Sequence, residues 1–294
     1  MDTIELDSAP SLASLYARAV SASILPGSRS ALPDRRLVLR GVELERERVA
    51  AYSRVCGFGA RSEIPATYPH VLAFPLHLSL MAERSFPFPA LGLVHIANAI
   101  DLCAPIPVGD TLDLTVWAAD LRPHDRGRQF DFHAEASLED SLVWREVSTY
   151  LRRESSDSSS RRSERANEDW GAGLTLSADW SVPGDIGRRY ADASGDRNPI
   201  HLHPLLARPF GFPTAIAHGM WTKARCLAAF DGWLPPAFTI ETEFKSPLRI
   251  PGKARLWSGR RGGGWAFRVE SPDGERTHAV GSISAEPHGR SASQ

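Results

Sequence analysis

Apolar and polar positions along this chain predict a buried helix followed by three or four strands in its second half. Residues 218–230 (HGMWTKARCLAAF) are mostly apolar and rich in helix-forming residues, which predicts a helix inside the protein. Strand patterns follow at residues 238–244, 253–260, 265–270 and 278–284. We therefore expect this half to wrap an antiparallel sheet around one helix.

The first half shows the same order of patterns. Residues 42–55 and 75–84 have helical patterns. Strand patterns follow at residues 93–103, 111–121, 130–137 and 142–151. The predicted fold class is therefore α+β, with two repeats that each hold a long central helix against an antiparallel sheet.

A shorter helix is predicted ahead of the buried helix in the second half. Ser181 can cap its N-terminus, and Pro183 would lie in its first turn. The helical pattern continues to about Ala193. Gly195 is placed to end the helix, because glycine readily takes the left-handed conformation of a helix C-terminus.

Short sequence matches support a repeat. Residues 52–58 (YSRVCGF) match residues 190–196 (YADASGD) at one constant offset. Residues 68–75 (YPHVLAFP) match residues 212–219 (FPTAIAHG) at a second constant offset. Chance matching among common residues is the alternative, and the preserved order of the matches argues against it.

Serine and charged residues dominate residues 154–168 (ESSDSSSRRSERANE), which contain almost nothing to bury. Such a segment cannot offset the entropy cost of ordering, so we predict a linker. It separates an N-terminal repeat at residues 1–153 from a C-terminal repeat at residues 169–286, with a tail at residues 287–294. The first ~35 residues and the tail are expected to be loosely held.

Composition limits the partners and the location of the protein. The 294 residues carry a net charge of −1, so charge gives no reason to expect nucleic acid or an anionic membrane as a partner. Three separated cysteines have neither zinc-ligand spacing nor a disulfide framework, which is typical of a reducing cytoplasm. We find no run of about 18 apolar residues and no signal-peptide pattern, so a cytoplasmic protein without a membrane span is expected.

Residues that carry chemistry concentrate between positions 195 and 220. The run reads Gly195-Asp196-Arg197-Asn198-Pro199-Ile200-His201, and His218-Gly219-Met220 follows downstream. This pattern resembles the hydratase signature of the MaoC-like family. Over residues 35–285 the chain resembles the single-chain mycobacterial 3-hydroxyacyl-thioester dehydratases, with the likeness carried by residues 68–75 and 210–220.

The resemblance implies a double hot-dog fold and a reversible, (R)-specific hydration of trans-2-enoyl thioesters. The acyl group would be carried by coenzyme A or by an acyl carrier protein, and no cofactor is implied. Two other functions stay open, which are a hot-dog thioesterase and a non-catalytic acyl-thioester binding protein. A homodimer is compatible with this reading.

The same reaction can be argued from the residues. Hydration needs a base for water, an acid for Cα and a donor for the enolate-like oxygen. Asp196 and His201 are separated by a turn, because Pro199 disfavours the helical conformation at the residue before it, and both side chains can hold one water. Gly219 lies where the buried helix begins, and its backbone N–H can hold the thioester oxygen.

Supporting roles fall to the other residues of the motif, which are Gly195, Asn198, Pro199 and His218. Lys245 and Arg249 are candidate contacts for carrier phosphates. Simpler interpretations exist, since Asp196 alone could be a turn residue and His201 alone an interior histidine. His203 could complete a two-histidine, one-carboxylate metal site with them, but no metal is expected because the motif already explains two of the three residues.

The first half lacks all three chemical elements. Phe58 matches Asp196, Pro75 matches Gly219 and has no N–H, and no histidine occurs between Phe58 and Tyr68. We therefore expect one active site per chain and a first half that shapes a tunnel for the acyl chain. The resemblance implies that this tunnel forms partly because the first central helix is loosened, where Pro75 would begin it. Leu227 departs from the family, because some relatives have a serine at that position, and the detailed geometry and the substrate stay open.

Overall fold

The computed structural model of the protein describes residues 1–24, 31–90, 92–154 and 173–285. The predicted linker at residues 154–168 lies outside these residues except for its first position, and so does the predicted tail at residues 287–294. The domain boundaries therefore stay predictions. No helix among the described residues is both long enough and apolar enough to cross a membrane.

The described elements occur in two series with the same order. The first series is β2 (Arg35–Glu43), α2 (Arg46–Cys56), α3 (Tyr68–Met81), β3 (Leu93–Leu102), β4 (Thr111–His124), β5 (Gly127–Leu138) and β6 (Ser141–Arg153), preceded by β1 (Asp2–Leu6) and α1 (Leu12–Ile24). The second series is β7 (Thr175–Val182), α4 (Ile186–Ser194), α5 (Pro199–Leu202), α6 (Pro204–Ala207), a short 3-10 turn (Arg208–Phe210), α7 (Gly219–Ala228), β8 (Phe238–Phe244), β9 (Gly252–Arg261), β10 (Gly264–Glu270) and β11 (Thr277–Ser284).

The eleven strands of the described residues form one sheet in the order β1-β2-β4-β5-β6-β3-β8-β11-β10-β9-β7. The two halves therefore have matching strand orders, with β2 equivalent to β7 and β3 equivalent to β8. They join through the antiparallel pairing of β3 with β8, where Ile100 lies opposite Ile240. The predicted repeat and the predicted α+β architecture are confirmed.

The two central helices, α3 and α7, carry apolar residues on most of their faces. Leu76 and Leu80 of α3 and Ala224 of α7 have no exposed surface. Burial of a leucine side chain contributes about 1.5–3 kcal/mol, so the helices are stabilised mainly by the sheet that covers them. Lys223 of α7 is also fully buried, and its Nζ donates to the backbone carbonyls of Asn98 and Ile240, which ties the second helix to the strand pair that joins the halves.

The prediction of the short helix in the second half is partly wrong. Ser181 lies in β7, where burial of Trp180 and Val182 gives the alternation of a strand, and it does not cap a helix. Helix α4 begins later, at Ile186. Gly195 ends it in the left-handed conformation with φ 75°, as predicted.

The prediction that Pro75 begins the first central helix is wrong. Helix α3 begins at Tyr68, so Pro75 lies inside it. Proline is readily accommodated in the first turn of a helix, and Pro69 occupies that place here. The order of elements therefore makes Tyr68 the counterpart of Gly219, and the matches at the second offset do not align equivalent residues.

The first residues of the chain are held more firmly than predicted. Strand β1 pairs in parallel with β2, with Ile4 opposite Leu37. Helix α1 packs against α3, and its Leu15 is 2% exposed within the core. Residues 1–18 thus bury apolar surface and pair backbone groups, which the expectation of a loosely held end did not foresee. Residues 25–30 lie outside the described part of the chain.

Candidate active site

A cavity of about 170 Å³ brings together residues from both halves of the chain. Asp196, His201 and Gly219 line it from the second half, as the sequence predicted for one site. Apolar side chains of α3, including Val71 and Phe74, line it from the first half. The cavity therefore combines polar and apolar lining residues, which is typical of a small-molecule site.

Asp196 follows the left-handed turn at Gly195 and presents its two carboxylate oxygens differently. The Oδ1 atom accepts hydrogen bonds from the backbone N–H of Asn198 at 3.1 Å and from the hydroxyl of Tyr16 at 2.9 Å. The Oδ2 atom lies 3.7 Å from Nε2 of His218. Burial tends to raise the pKa of Asp196, but the two nearby imidazoles and these hydrogen bonds outweigh burial and lower it below its usual value. The side chain is therefore a carboxylate at neutral pH.

His201 is held in one tautomer by the backbone. It lies on α5, which begins at Pro199 and is capped by the Asn198 side chain accepting from the Ile200 N–H. Its Nδ1 lies 2.8 Å from the carbonyl oxygen of Ile216, so Nδ1 carries the proton and Nε2 is left as an acceptor. Burial lowers the pKa of His201, and the nearby Asp196 opposes this only in part. The imidazole is therefore neutral at neutral pH.

Gly219 is the first residue of α7, as the sequence predicted, and His218 is the N-cap before it. A Cβ atom at Gly219 would stand 3.1–3.2 Å from the ring of Phe244, so glycine keeps this wall of the cavity open. The carbonyl of His218 accepts from the Thr222 N–H, which leaves the N–H groups of the first turn of α7 without partners within the helix. A backbone donor with the positive end of the helix dipole behind it thus borders the cavity.

His218 ties the helix to the loop that carries Asp196. Its Nε2 lies 3.0 Å from the backbone carbonyl of Asp196, and its ring stacks on His201 at 3.7 Å between centroids. Burial, followed by the neighbouring His201, lowers the pKa of His218 to about 3. The side chain is therefore a neutral donor that holds the loop.

The two predicted phosphate contacts lie in different places. Lys245 lines the cavity and forms an ion pair with Glu243. Arg249 is exposed and is not among the residues that line the cavity. Arg126 and Arg153 from the first half do line it, and sequence reasoning missed them. Only the pairing of β5 with β6 brings the turn that holds Arg126 beside the end of β6, so no local signal could have identified them.

Tyr16 is a further site residue that the sequence did not reveal. It lines the cavity and lies 180 residues before Asp196, to which its hydroxyl donates. A tyrosine in a short amphipathic helix carries no chemical signature, so only the tertiary structure identifies it.

Potential metal ligands occur in two groups of described residues. Asp196, His201 and His218 place one ligand atom each within 4.8 Å of one another, and so do Asp120, Asp131 and His133. A metal in the first group would compete with the bond from His218 Nε2 to the Asp196 carbonyl. His203, which the sequence raised as a possible ligand, instead caps α6, because its Nδ1 accepts from the Leu205 N–H.

The first half contains a counterpart of this cavity without its chemistry. Gly57 ends α2 in the left-handed conformation with φ 84°, as Gly195 ends α4. Phe58, the residue that follows, lines a second cavity of about 540 Å³, and none of the residues lining that cavity is a histidine. Leu227 lines this second cavity and not the first. The departure from the family at Leu227 therefore lies outside the walls of the candidate active site.

Sequence comparisons identify relatives of the chain. The sequence model of the MaoC like domain matches residues 172–256. The 3-hydroxyacyl-thioester dehydratase X of Mycobacterium tuberculosis is 34% identical over 240 residues, which are 82% of this chain and 85% of the relative. A 3-hydroxybutyryl-CoA dehydratase of Methylorubrum extorquens is 37% identical over 89 residues, which are 28% of this chain and 55% of the relative.

Solved structures agree with these relatives. The crystal structure of HtdX from Mycobacterium tuberculosis matches with a TM-score of 0.76 and 32% identity, over 85% of this chain and 99% of that one. A protein of the same organism described as having a double hotdog fold matches with a TM-score of 0.53 and 13% identity, over 84% and 93% of the two chains. The predicted double hot-dog fold is thereby confirmed.

Proposed function

The chain belongs to the MaoC-like dehydratase family, and on that premise we propose that it interconverts trans-2-enoyl thioesters and (R)-3-hydroxyacyl thioesters by adding or removing water. The observation that supports this reaction most strongly is the placement of Asp196, His201 and Gly219 around one cavity. The (R) configuration is taken from the family resemblance. The reaction is written below in the direction of hydration.

Asp196 and His201 act together on one water molecule. The Asp196 carboxylate takes a proton from the water through Oδ2, since Oδ1 already accepts two hydrogen bonds. The Nε2 atom of neutral His201 accepts the other hydrogen of the water and orients it. The water oxygen forms a bond to Cβ, and the electrons of the double bond move toward the thioester. General base catalysis of this kind is worth about 10²–10⁴-fold in rate.

Gly219 stabilises the charge that develops on the thioester oxygen. Its backbone N–H donates to this oxygen, and the dipole of α7 supports the negative charge. The proton held by Asp196 then passes to Cα, with His201 relaying it, and the carbonyl is restored. The hydroxyl and the proton added to the substrate thus both come from one water, and the enzyme returns to its starting state.

Different lining residues of the cavity contact the acyl chain and the phosphates of the carrier. The apolar side chains on α3, such as Val71 and Phe74, contact the acyl chain. Arg126, Arg153 and Lys245 contact the phosphates that coenzyme A and the prosthetic group of an acyl carrier protein both carry. Arg249 is left out of this assignment because it does not line the cavity.

The hydration assay tests the reaction and the acid–base pair together. Crotonyl-CoA should lose its enoyl absorbance in the ultraviolet, and Asp196→Asn and His201→Ala should each lower turnover at least about 10²-fold. Asp192→Asn and His203→Ala are matched controls, because both side chains are exposed and lie close by in the sequence. Turnover near the wild-type value in Asp196→Asn or His201→Ala would overturn the assignment.

The same enzyme samples also distinguish hydration from the two alternative functions, thioester hydrolysis and binding without catalysis. A thioesterase would release free thiol from crotonyl-CoA, which a colorimetric thiol reagent detects. A non-catalytic binding protein would bind the thioester without consuming it, and Asp196→Asn would leave binding unchanged. An acyl-ACP thioesterase of Bacteroides thetaiotaomicron shares the fold at a TM-score of 0.54 with 10% identity, a likeness that concerns the fold alone.

Variants of the basic residues test the proposed contacts with the carrier phosphates. Arg126→Ala and Arg153→Ala should raise KM for crotonyl-CoA about 5- to 10-fold and leave kcat nearly unchanged, because phosphate contacts hold substrate and transition state equally. Arg249→Ala is the matched control, since it removes an exposed arginine that does not line the cavity. An equal rise in all three variants would mean that general surface charge attracts the substrate.

A further inference from the structure

Tyr16 makes two hydrogen bonds to the loop that carries Asp196. Its hydroxyl donates to Oδ1 of Asp196 at 2.9 Å and accepts from the backbone N–H of Arg197 at 2.8 Å. The side chain also lines the cavity. One phenol thus contacts the carboxylate and the peptide that follows it.

Helix α1, which carries Tyr16, packs against elements that border the site. Leu15, the preceding residue, is 2% exposed, and α1 packs against α3. Leu12 covers the turn at Gly195, where a Cβ atom would stand 2.4 Å from Cδ1 of Leu12. Among the residues described for the second half, 173–285, no helix precedes β7 as α1 precedes β2.

We propose that Tyr16 is a positioning residue of the active site, through which the N-terminal helix completes the catalytic centre. The inference rests on the proposed function, in which Asp196 is the base. With Tyr16 and the Asn198 N–H both bound to Oδ1, the carboxylate is fixed in rotation and Oδ2 is the oxygen left for water. The phenol also favours the charged form of Asp196, because it donates a hydrogen bond to it.

The phenol keeps its proton and is therefore a constant donor. Burial raises the pKa of Tyr16 far above its usual value, and the adjacent Asp196 raises it further. Loss of the hydroxyl should accordingly have two effects, an Asp196 carboxylate held at Oδ1 by the Asn198 N–H alone and a raised pKa of Asp196. The first lowers kcat, and the second moves the acid side of the pH–rate profile to higher pH.

The test compares Tyr16→Phe with Ser14→Ala, using crotonyl-CoA as the probe. Ser14 lies on the same helix and is exposed, and its hydroxyl donates to the carbonyl of Ser11, the residue just before the helix. We expect Tyr16→Phe to lower kcat about 10-fold, to leave KM nearly unchanged, and to raise the acid-side apparent pKa of kcat by about one unit. Ser14→Ala should match the wild type in all three quantities.

A Tyr16→Phe enzyme with an unchanged acid-side pKa would overturn the proposal, whatever happens to kcat, because a packing role alone would lower rate or stability without moving that pKa. Thermal unfolding shows whether each variant is folded, and Tyr16→Leu takes the place of Tyr16→Phe should the latter not fold. An active Asp196→Asn enzyme would instead overturn the proposed function, so the two failures can be told apart.

Discussion

His201 and His218 stack face to face, with ring centroids 3.7 Å apart and planes inclined by 25°. Burial lowers the pKa of both rings, and that of His218 falls to about 3. A histidine that must be neutral to accept a proton stays active down to its own pKa, so a lowered pKa moves the loss of activity to lower pH. We predict that kcat for hydration stays constant as the pH falls through 6.5, the usual pKa of histidine.

The measurement is a profile of kcat against pH between about 4.5 and 8, with short assays and a check that the enzyme remains folded at each pH. The His203→Ala variant should give the same profile, because His203 is exposed and lies outside the cavity lining. An inflection near pH 6.5 in the wild type that is absent from His201→Gln would contradict the prediction. It would mean that His201 titrates like an exposed imidazole.

A methyl group at Gly219 should block the site without harming the helix. The Cβ atom of Gly219→Ala would press on the ring of Phe244 at 3.1–3.2 Å, beside the N–H proposed to hold the thioester oxygen. We predict a loss of about 10²-fold in kcat/KM with no loss of thermal stability, since alanine is a better helix former than glycine. Gly59→Ala is the control, because its Cβ would meet its nearest atom at an ordinary 3.5 Å.

The double variant Gly219→Ala with Phe244→Leu separates steric blocking from loss of the donor. Leucine is smaller than phenylalanine and should give the new methyl group room, so part of the lost activity should return. No recovery, together with full activity in Phe244→Leu alone, would show that the methyl group acts by another route.

The elements nearest the catalytic residues could be predicted because their signals are local. The apolar run at residues 218–230 became α7 (Gly219–Ala228), and the strand pattern at residues 238–244 became β8 (Phe238–Phe244). Gly195 was identified as a helix end because the left-handed conformation common at helix C-termini favours glycine. The helix and strand periodicities, together with the motif, therefore predicted most elements of the second half.

Other features depended on contacts distant in the sequence. Tyr16 reaches Asp196 only because α1 packs beside the first central helix. Ser181 was assigned to a helix because its capping chemistry is local, whereas pairing of β7 with β9 decides its conformation. Pro75 was placed at a helix start by local preference, yet the buried surface of α3 extends the helix to both sides of it.

His77 should make the protein sensitive to acid. It is fully buried, its ring stacks on Phe132 at 4.7 Å, and neither ring nitrogen has a hydrogen-bond partner among the described residues. Burial lowers its pKa to about 3, so the folded protein binds fewer protons than the unfolded chain between about pH 3 and pH 6.5. Its contribution to stability is thus present above about pH 6.5 and is lost as the pH falls toward 3.

We predict that His77→Phe reduces the loss of unfolding free energy between pH 7.5 and pH 5, because phenylalanine takes up no proton. Urea unfolding at the two pH values measures this loss. His203→Phe serves as the control, since it replaces an exposed histidine that lies outside the core. An unchanged pH dependence in His77→Phe would show that His77 does not titrate differently in the folded state.

The first half should set the length of acyl chain that the enzyme accepts. Val71 lies on α3 and lines the catalytic cavity, whereas Val49 on α2 lines the second cavity. Both valines are almost fully buried, at 9% and 5% exposure, so exchange for phenylalanine should cost each site a comparable packing strain of about 1–3 kcal/mol. We predict that Val71→Phe lowers kcat/KM for trans-2-dodecenoyl-CoA at least about 10-fold and for crotonyl-CoA less than about 3-fold, because only the longer chain needs the space. Val49→Phe should change the two substrates equally, and a uniform loss in Val71→Phe would place the acyl chain elsewhere in the cavity.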